Sequence, residues 1–464
     1  MRVRALLDVG EETSQAVDHR ARVGMEAREV RHVVGNLVES DLLAAALVAE
    51  PKDLVTHRSS LLRIGRADPV PSRPRADGGS VRYGAVMVAD TDVIVIGAGP
   101  IGSALAVMLG RAGLKTLLLD RARFPRDKAC GEGLMPAGAH VLEELGIPTD
   151  RFPLLAGVTY RVPGMGSLEG TFGRGGAGRG TRRLAFDQLL IEVASATPNV
   201  DVRLGDNATG LDPGERDAIV TSASGPIRAR HVVGADGLRS QVARWIGAWR
   251  PPVGRRLALT GHVLAPGHAF DRIVVTLLDG CEVYLAPTSS NEVLVALLGS
   301  KDALRTPGET VRAGYARRIA QAHPELAGAM TTRVRGAGPF WIRPATVAAG
   351  RVFLVGDAAG FLDPLTGDGI SAGFLAARRL AGLLGAGVPQ PDQAYRRWEA
   401  SQWRRRVFMT RLVLTLTGSA WLRRRALRGL RRRPATLSRL LEVNDGSSGV
   451  SSLSLRDLAV LAGI

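Results

Sequence analysis

The chain has 464 residues, 45% hydrophobic and 23% charged, and is long enough to bury a substantial core in two intertwined lobes. Its net charge of +17 is uneven, since residues 396–439 hold fourteen arginines and a single acid, Glu399, while the remainder is close to balanced. Cys130 and Cys281 are the only cysteines, which excludes a disulfide framework and a cysteine-built metal site, and no run approaches the roughly 20 apolar residues that cross a bilayer.

In chain order, residues 1–86 combine scattered arginine, weak periodicity and a Pro, Gly and Arg stretch over 68–84. They are expected to be an N-terminal extension, either disordered or upstream sequence included by a misplaced start before Met87, with a helical appendage over 37–49 as the rival. Arg2 and Arg4 are followed by acids before any long apolar run, so no secretory signal is expected and the chain is placed in the cytoplasm.

From Asp92 the pattern sharpens: 93–96 predicts an apolar strand, 101–112 a helix, and 116–119 a second strand ending in Asp120. Between strand and helix stands Gly97-Ala98-Gly99-Pro100-Ile101-Gly102. There the first glycine permits a tight turn, the second lets the backbone approach a pyrophosphate, and the third allows close helix-strand packing. The helix N-terminus then faces the phosphates. Asp120, followed by Arg121, lies 23 positions after Gly97, where a carboxylate can accept hydrogen bonds from both ribose hydroxyls and repel a 2'-phosphate. This βαβ unit predicts a dinucleotide site and leaves FAD and NAD open.

The next segment, 124–136, carries Cys130-Gly131-Glu132-Gly133, whose glycines permit close passage over a ligand, with Arg126 or Lys128 available to offset phosphate charge. Segments 157–172 and 257–298 alternate as half-exposed antiparallel strands do, whereas 202–204, 218–221, 231–233 and 352–355 predict short strands feeding the first sheet. The organisation reads as α/β: a Rossmann-like domain assembled from 87–156, 183–250 and 335–395, an inserted antiparallel-sheet substrate domain from 157–182 and 251–334, and a basic helical region over 396–464.

Two later motifs bear on the cofactor. Val232-Val233-Gly234-Ala235-Asp236-Gly237-Leu238-Arg239-Ser240 is the first, and Val355-Gly356-Asp357-Ala358-Ala359-Gly360, followed by Asp363-Pro364-Leu365-Thr366-Gly367-Asp368-Gly369-Ile370, is the second. Together with Arg183-Leu184-Ala185-Phe186-Asp187 they resemble the fingerprints of the para-hydroxybenzoate hydroxylase-like flavoproteins, over roughly residues 90–390. The resemblance implies FAD as cofactor, held in part by Arg183, Asp236 and Gly237, with NAD(P)H as electron donor. Gly356 and Gly360 let the backbone come close to the ligand, and Asp357 can accept a hydrogen bond from a ribityl hydroxyl. After Gly367 and Gly369 the run from Ile370 is helical, so its first N–H groups can stabilise negative charge on a reduced flavin; an ordinary Asp368 N-cap is the rival reading. Gly369-Ile370-Ser371-Ala372-Gly373 matches the GxSxG hydrolase pattern, but it continues a helix with no strand leading into it, so a serine nucleophile is rejected.

Segment 124–136 is similar to the loop of the geranylgeranyl reductase-like group, where a Cys-Gly pair lies beside the flavin ring. That makes Cys130 a candidate catalytic residue, with a buried structural thiol as the alternative. The group's Tyr-x-Trp-x-Phe-Pro element corresponds to Tyr284-Leu285-Ala286-Pro287, which keeps Tyr284 as a candidate but lacks the Trp and Phe. This departure points toward an aromatic, polyketide, quinone-like or other lipophilic substrate and a monooxygenase-type reaction, with reduction of a carbon-carbon double bond as the alternative. The arginine-rich stretch 403–433 is expected to be helical in two pieces broken near Gly418. It is either packed on the flavin lobe or peripheral to the inner face of the membrane. A non-enzymatic basic protein with a vestigial nucleotide fold is the remaining rival. No recognition motif accompanies the arginines, so no nucleic acid partner is expected.

Overall fold

The computed structural model describes residues 91–463, apart from 174–175, 267–269, 306 and 327–329. The expectations for the N-terminal extension lie outside the described residues.

The β-branched run of Thr91–Ile96 forms a central strand with Val93, Ile94 and Val95 fully buried. Such a strand needs partners on both edges and cover on both faces. It pairs in parallel with Thr116–Asp120 on one side and Gly225–Gly234 on the other. Strand order across this eight-stranded sheet is Ala348–Ala349, Val352–Leu354, Gly225–Gly234, Thr91–Ile96, Thr116–Asp120 and Val200–Leu204, with the hairpin Ala208–Asp212 and Ala218–Ser222 attached to Gly225–Gly234. All four short strands predicted to feed this sheet are in it. Helix Pro100–Arg111, with Pro at its first turn, covers the strand it follows and crosses helix Gly369–Gly385. A Cβ at Gly373 would lie 2.5 Å from Ile101 Cδ1, so the two helices meet at van der Waals contact.

A seven-stranded sheet runs in the order Arg335–Ala337, Arg256–Leu264, Glu292–Ser300, Cys281–Pro287, Arg272–Leu278, Gly157–Val162 and Gly166–Thr171. Its pairings are antiparallel except where Arg272–Leu278 joins Gly157–Val162 in parallel. The expected half-exposed alternation is corrected here. Strands Arg272–Leu278, Cys281–Pro287 and Glu292–Ser300 are buried on both faces. One face packs under helix Val311–Ala322 through Tyr315 and Ile319. The other faces a cluster that includes Leu412, Leu427, Leu437 and Leu441 from the C-terminal helices.

Those helices are Pro391–Gly418, Ala420–Arg432, Ala435–Asp445 and Leu455–Leu461. The break near Gly418 falls where predicted, and Ser419 caps the next helix by accepting from Leu422 N at 3.4 Å. Among the described residues no helix is long and apolar enough to cross a membrane.

Candidate active site

The glycine turn divides its duties as its spacing implies. Gly97 sits at φ +109, and a Cβ there would stand 2.5 Å from the Ala235 carbonyl oxygen, so only glycine joins the first strand to the helix at this point. Gly102 is tighter still, since its Cβ would fall 1.8 Å from Gly97 O. At Gly99 the nearest side-chain atom is Arg126 Nη2 at 3.7 Å, which leaves the backbone open to a cavity of about 580 Å³. That volume falls within the roughly 300–1,000 Å³ range of small-molecule sites.

Most of the predicted cofactor residues line this one cavity. The glycine turn contributes Gly97, Gly99, Pro100 and Ile101, and the second strand ends on it with Asp120 and Arg121. Asp120 Oδ2 accepts from Ala98 N at 2.8 Å and Oδ1 from Ala122 N at 2.7 Å, leaving further lone pairs on both oxygens. Arg183 is on the wall, locked by Nε and Nη2 bonds of 2.6 and 2.7 Å to the buried Asp187 carboxylate. Asp236 and Gly237 line it as well. Asp236 Oδ2 accepts from Gln241 N at 2.6 Å, while Oδ1 is buried without a hydrogen-bond partner. Burial pushes the Asp236 carboxyl above its usual range, against the bonds from Ser240, Gln241 and Val242. A buried, half-satisfied carboxylate on a cavity wall fits a polar ligand in that cavity.

Gly356, Asp357, Gly369 and Ile370 close the far end. Asp368 precedes the helix, yet its side chain makes no capping bond. Its Oδ1 accepts from Thr366 Oγ1 at 2.7 Å and its Oδ2 from Arg406 Nε at 2.9 Å. The ordinary N-cap reading is therefore not what the geometry shows, and the first-turn N–H groups lack intrahelical partners, as at any helix start. Ser371 is fully buried, with Oγ accepting from Met135 N at 3.0 Å, which suits a packing role and not a nucleophile.

Three predicted residues stand off this wall. Gly102 packs on Gly97, and Gly360, at φ +129, makes room for Trp403, whose Cζ3 would lie 2.8 Å from a Cβ there. Gly367 faces Met135 Cε, 2.9 Å from where its Cβ would be, with Tyr284 Oη at 3.9 Å. That places Gly367 toward a second, apolar cavity.

This second cavity is lined by Val158, Ile273, Tyr284 and Leu365, and on its other side by Met409, Leu412, Leu427 and Leu441. Tyr284 is 4% exposed, and its hydroxyl is buried without a hydrogen-bond partner. Burial pushes its phenol far above the usual range. The Cys130 loop runs beside it: a Cβ at Gly133 would stand 2.5 Å from Tyr284 Oη, and one at Gly131 would stand 3.5 Å from its Cε1. Cys130 itself lines neither cavity. Its Sγ accepts from Glu132 N at 3.3 Å, and burial raises its thiol pKa, opposed by the Arg183 guanidinium. So the structure brings Tyr284, Gly131, Gly133 and Gly367 together, with the Cys130 thiol half-buried to one side.

Several neighbours were not anticipated. Asp206, Asn207 and Ala208 line the first cavity just beyond strand Val200–Leu204, where ligands of open α/β sheets gather at strand ends. Gln241 and Trp245 join them, as does Arg239 from the Asp236-Gly237 motif. Buried Glu132 bonds His262 Nε2 through Oε2 at 2.8 Å and accepts from Arg183 N through Oε1 at 2.9 Å. No local signal announces a pair 130 residues apart.

A sheet with a parallel centre and a glycine-turn cavity at its strand ends, joined to a second sheet over an apolar cavity, defines a two-lobed dinucleotide-dependent oxidoreductase. The FAD binding domain family matches residues 90–390, and the chain belongs to that family. It is an FAD-dependent oxidoreductase. The chain is 28% identical to the menaquinone reductase of Mycolicibacterium smegmatis over 315 residues, covering 64% of this chain and 76% of that protein. To digeranylgeranylglycerophospholipid reductase 1 of Methanothermobacter thermautotrophicus it is 29% identical over 338 residues, covering 67% and 81%. The fold superposes on a flavoprotein/dehydrogenase from Cytophaga hutchinsonii with a TM-score of 0.69 and 20% identity, covering 77% of this chain and 93% of that one.

Proposed function

We propose that the protein reduces a carbon-carbon double bond in an apolar, isoprenoid-like chain. The observation that carries this reading is the aliphatic cavity that reaches Leu365 and Thr366 beside the flavin loop and ends on the unpartnered hydroxyl of Tyr284. At about 100 Å³ the cavity has room for a segment of a hydrocarbon chain, and such a segment offers that wall burial of apolar surface. The names of the relatives, reductases of menaquinone and of a digeranylgeranyl lipid, point the same way.

In this reading the first cavity would hold FAD, which, once reduced by NAD(P)H, would supply a hydride equivalent to one carbon of the bond. The backbone N–H groups of Gly99 and Ile101, flanking Pro100, which has none, would hold the pyrophosphate at a helix N-terminus. Asp120 would accept from the ribose hydroxyls, Asp357 from a ribityl hydroxyl, and the N–H groups of Gly369 and Ile370 would face the pyrimidine edge. Tyr284 would hold a proton at Oη toward the second carbon, and a proton from solvent would have to restore the phenol as the proton is passed on. Cys130, off the cavity wall, shapes the Gly131 to Gly133 passage. Water is kept out by the leucines of the C-terminal helices.

We also propose membrane contact through the same helices. Arg424, Arg428, Arg431 and Arg432 are exposed on Ala420–Arg432, the helix whose Leu427 and Leu430 line the apolar cavity. Such a basic face suits an anionic lipid surface, at about 1 kcal/mol per basic residue, and would bring a lipid tail to the cavity. Flotation with phosphatidylglycerol vesicles, lost on replacing these arginines by glutamine, checks this.

The deciding experiment incubates the flavoprotein with NADPH and menaquinone or a geranylgeranyl lipid, with and without oxygen, and weighs the product. A gain of two hydrogens under anaerobic conditions is expected. A product that gains an oxygen atom and forms only in air would overturn reduction in favour of monooxygenation.

A further inference from the structure

Helix Pro391–Gly418 does more than wall the apolar cavity. Its earlier turns reach the loops that bracket the flavin end of the first cavity. Arg343 bonds both oxygens of Glu399, at 2.8 and 2.6 Å, and donates to the Ala359 carbonyl at 3.2 Å, while its guanidinium lies 4.3 Å from the Trp403 ring. One turn on, Arg406 donates to Asp368 Oδ2 at 2.9 Å. Asp368 is 5% exposed and immediately precedes Gly369, the first residue of the helix whose N–H groups face that cavity.

We infer that Arg406 is a positioning residue that sets the reduction potential of the flavin by neutralising Asp368. The inference rests on the proposal that the pyrimidine edge meets Gly369 and Ile370. A helix N-terminus stabilises the negative charge gained on reduction through about half a positive charge. A bare carboxylate at the residue before it would cancel that field, and more strongly here because burial weakens screening. Arg406 removes the conflict. It also draws the carboxylate toward Thr366 and Arg406 and away from the first-turn N–H groups, leaving them open to a ligand. Arg405, buried beside it, also acts on Asp368, but its Nη1 is bonded to the Val443 carbonyl at 2.9 Å. Arg406 therefore makes the direct contact.

The test is the midpoint potential of bound FAD, read by dye equilibration, in wild type, Arg406→Gln, Arg406→Lys, Asp368→Asn and the Arg406→Gln/Asp368→Asn double variant. Arg406→Gln is expected to shift the oxidised-to-reduced ratio about tenfold toward oxidised, which is about 30 mV for a two-electron couple. Arg406→Lys should stay near wild type, Asp368→Asn should move the potential the opposite way, and the double variant should return most of the loss. A residue that only packed the loop would change melting temperature and FAD retention without this reversal of sign. If Arg406→Gln fails to fold, the upward shift in Asp368→Asn still decides. Potentials unchanged in both single variants, with FAD bound, overturn the inference. Failure of the wild type to bind FAD would instead overturn the proposed cofactor geometry.

Discussion

Replacing Tyr284 by phenylalanine should make the protein more stable and less active. Its hydroxyl is buried with no partner in the protein, so folding costs it hydrogen bonds to bulk water that no protein group replaces. An unsatisfied buried polar group of this kind costs about 1–3 kcal/mol, and the ring, which lies beside Gly131, stays in place. Removing the oxygen should therefore stabilise the FAD-free protein by about 1 kcal/mol, a rise of roughly 2 °C in melting temperature for a chain this size. On the proposed role of Tyr284 as proton donor, the same change should lower turnover by about a hundredfold, within the usual range for general acid catalysis, with KM little changed. Urea unfolding of the FAD-free form and steady-state rates on the FAD-bound form read the two effects separately. A loss of stability would mean that the hydroxyl has a structural partner, and undiminished turnover would mean that it delivers no proton.

Gly102→Val should yield a colourless protein, because its Cβ would lie 1.8 Å from Gly97 O and push the turn apart; flavin absorbance after purification reads this. Asp120→Asn replaces one of two accepting oxygens, those now bonded by Ala98 N and Ala122 N, with a donor, and should weaken FAD binding by about tenfold to a hundredfold, or about 1.4–2.8 kcal/mol, in a titration of the FAD-free protein. Leu412→Trp should fill the apolar cavity, raising KM for long-chain substrates while leaving FAD bound, and unchanged KM would remove Leu412 from the substrate path. Burial pushes Tyr160 from the ordinary value of 10.0 up to about 12. Below the lower value both folded and unfolded chains keep the proton. Above it the unfolded phenol ionises first, so stability falls as pH rises toward the upper value, and Tyr160→Phe should flatten that slope in unfolding measured at stepped pH.

The parts of the site that could be read from sequence are contiguous in it. Strand, glycine turn, helix, strand and Asp120 span thirty residues, and their spacing alone dictates which glycine turns, which opens and which packs. The later loops were legible through their motifs, Asp236-Gly237 and Gly356-Asp357. What escaped depends on chain brought together from afar. Glu132 and His262 meet across 130 residues, and Arg406 meets Asp368 across 38, and neither partner carries a mark of the other. The cavity wall was hidden differently, since Leu412, Leu427 and Leu441 have the spacing of any amphipathic helix, and periodicity says that a face is buried without saying against what. The same limit explains the second sheet, where exposure was inferred from alternation although cover arrives on both sides.

That double cover has a consequence for the chain as it leaves the ribosome. The strand Glu292–Ser300 completes the centre of the second sheet, and helix Val311–Ala322 can cap one face almost at once. The leucines for the opposite face begin at Leu412 and end at Leu461. At about 5–20 residues per second, that face waits on the order of 10–30 s for its lid. During the interval a broad aliphatic surface is open to solvent, and a nascent chain in that state is a natural client for chaperones that bind exposed apolar strands. Synthesis halted before Leu412 should therefore give aggregated protein even though every residue of the nucleotide turn has been made.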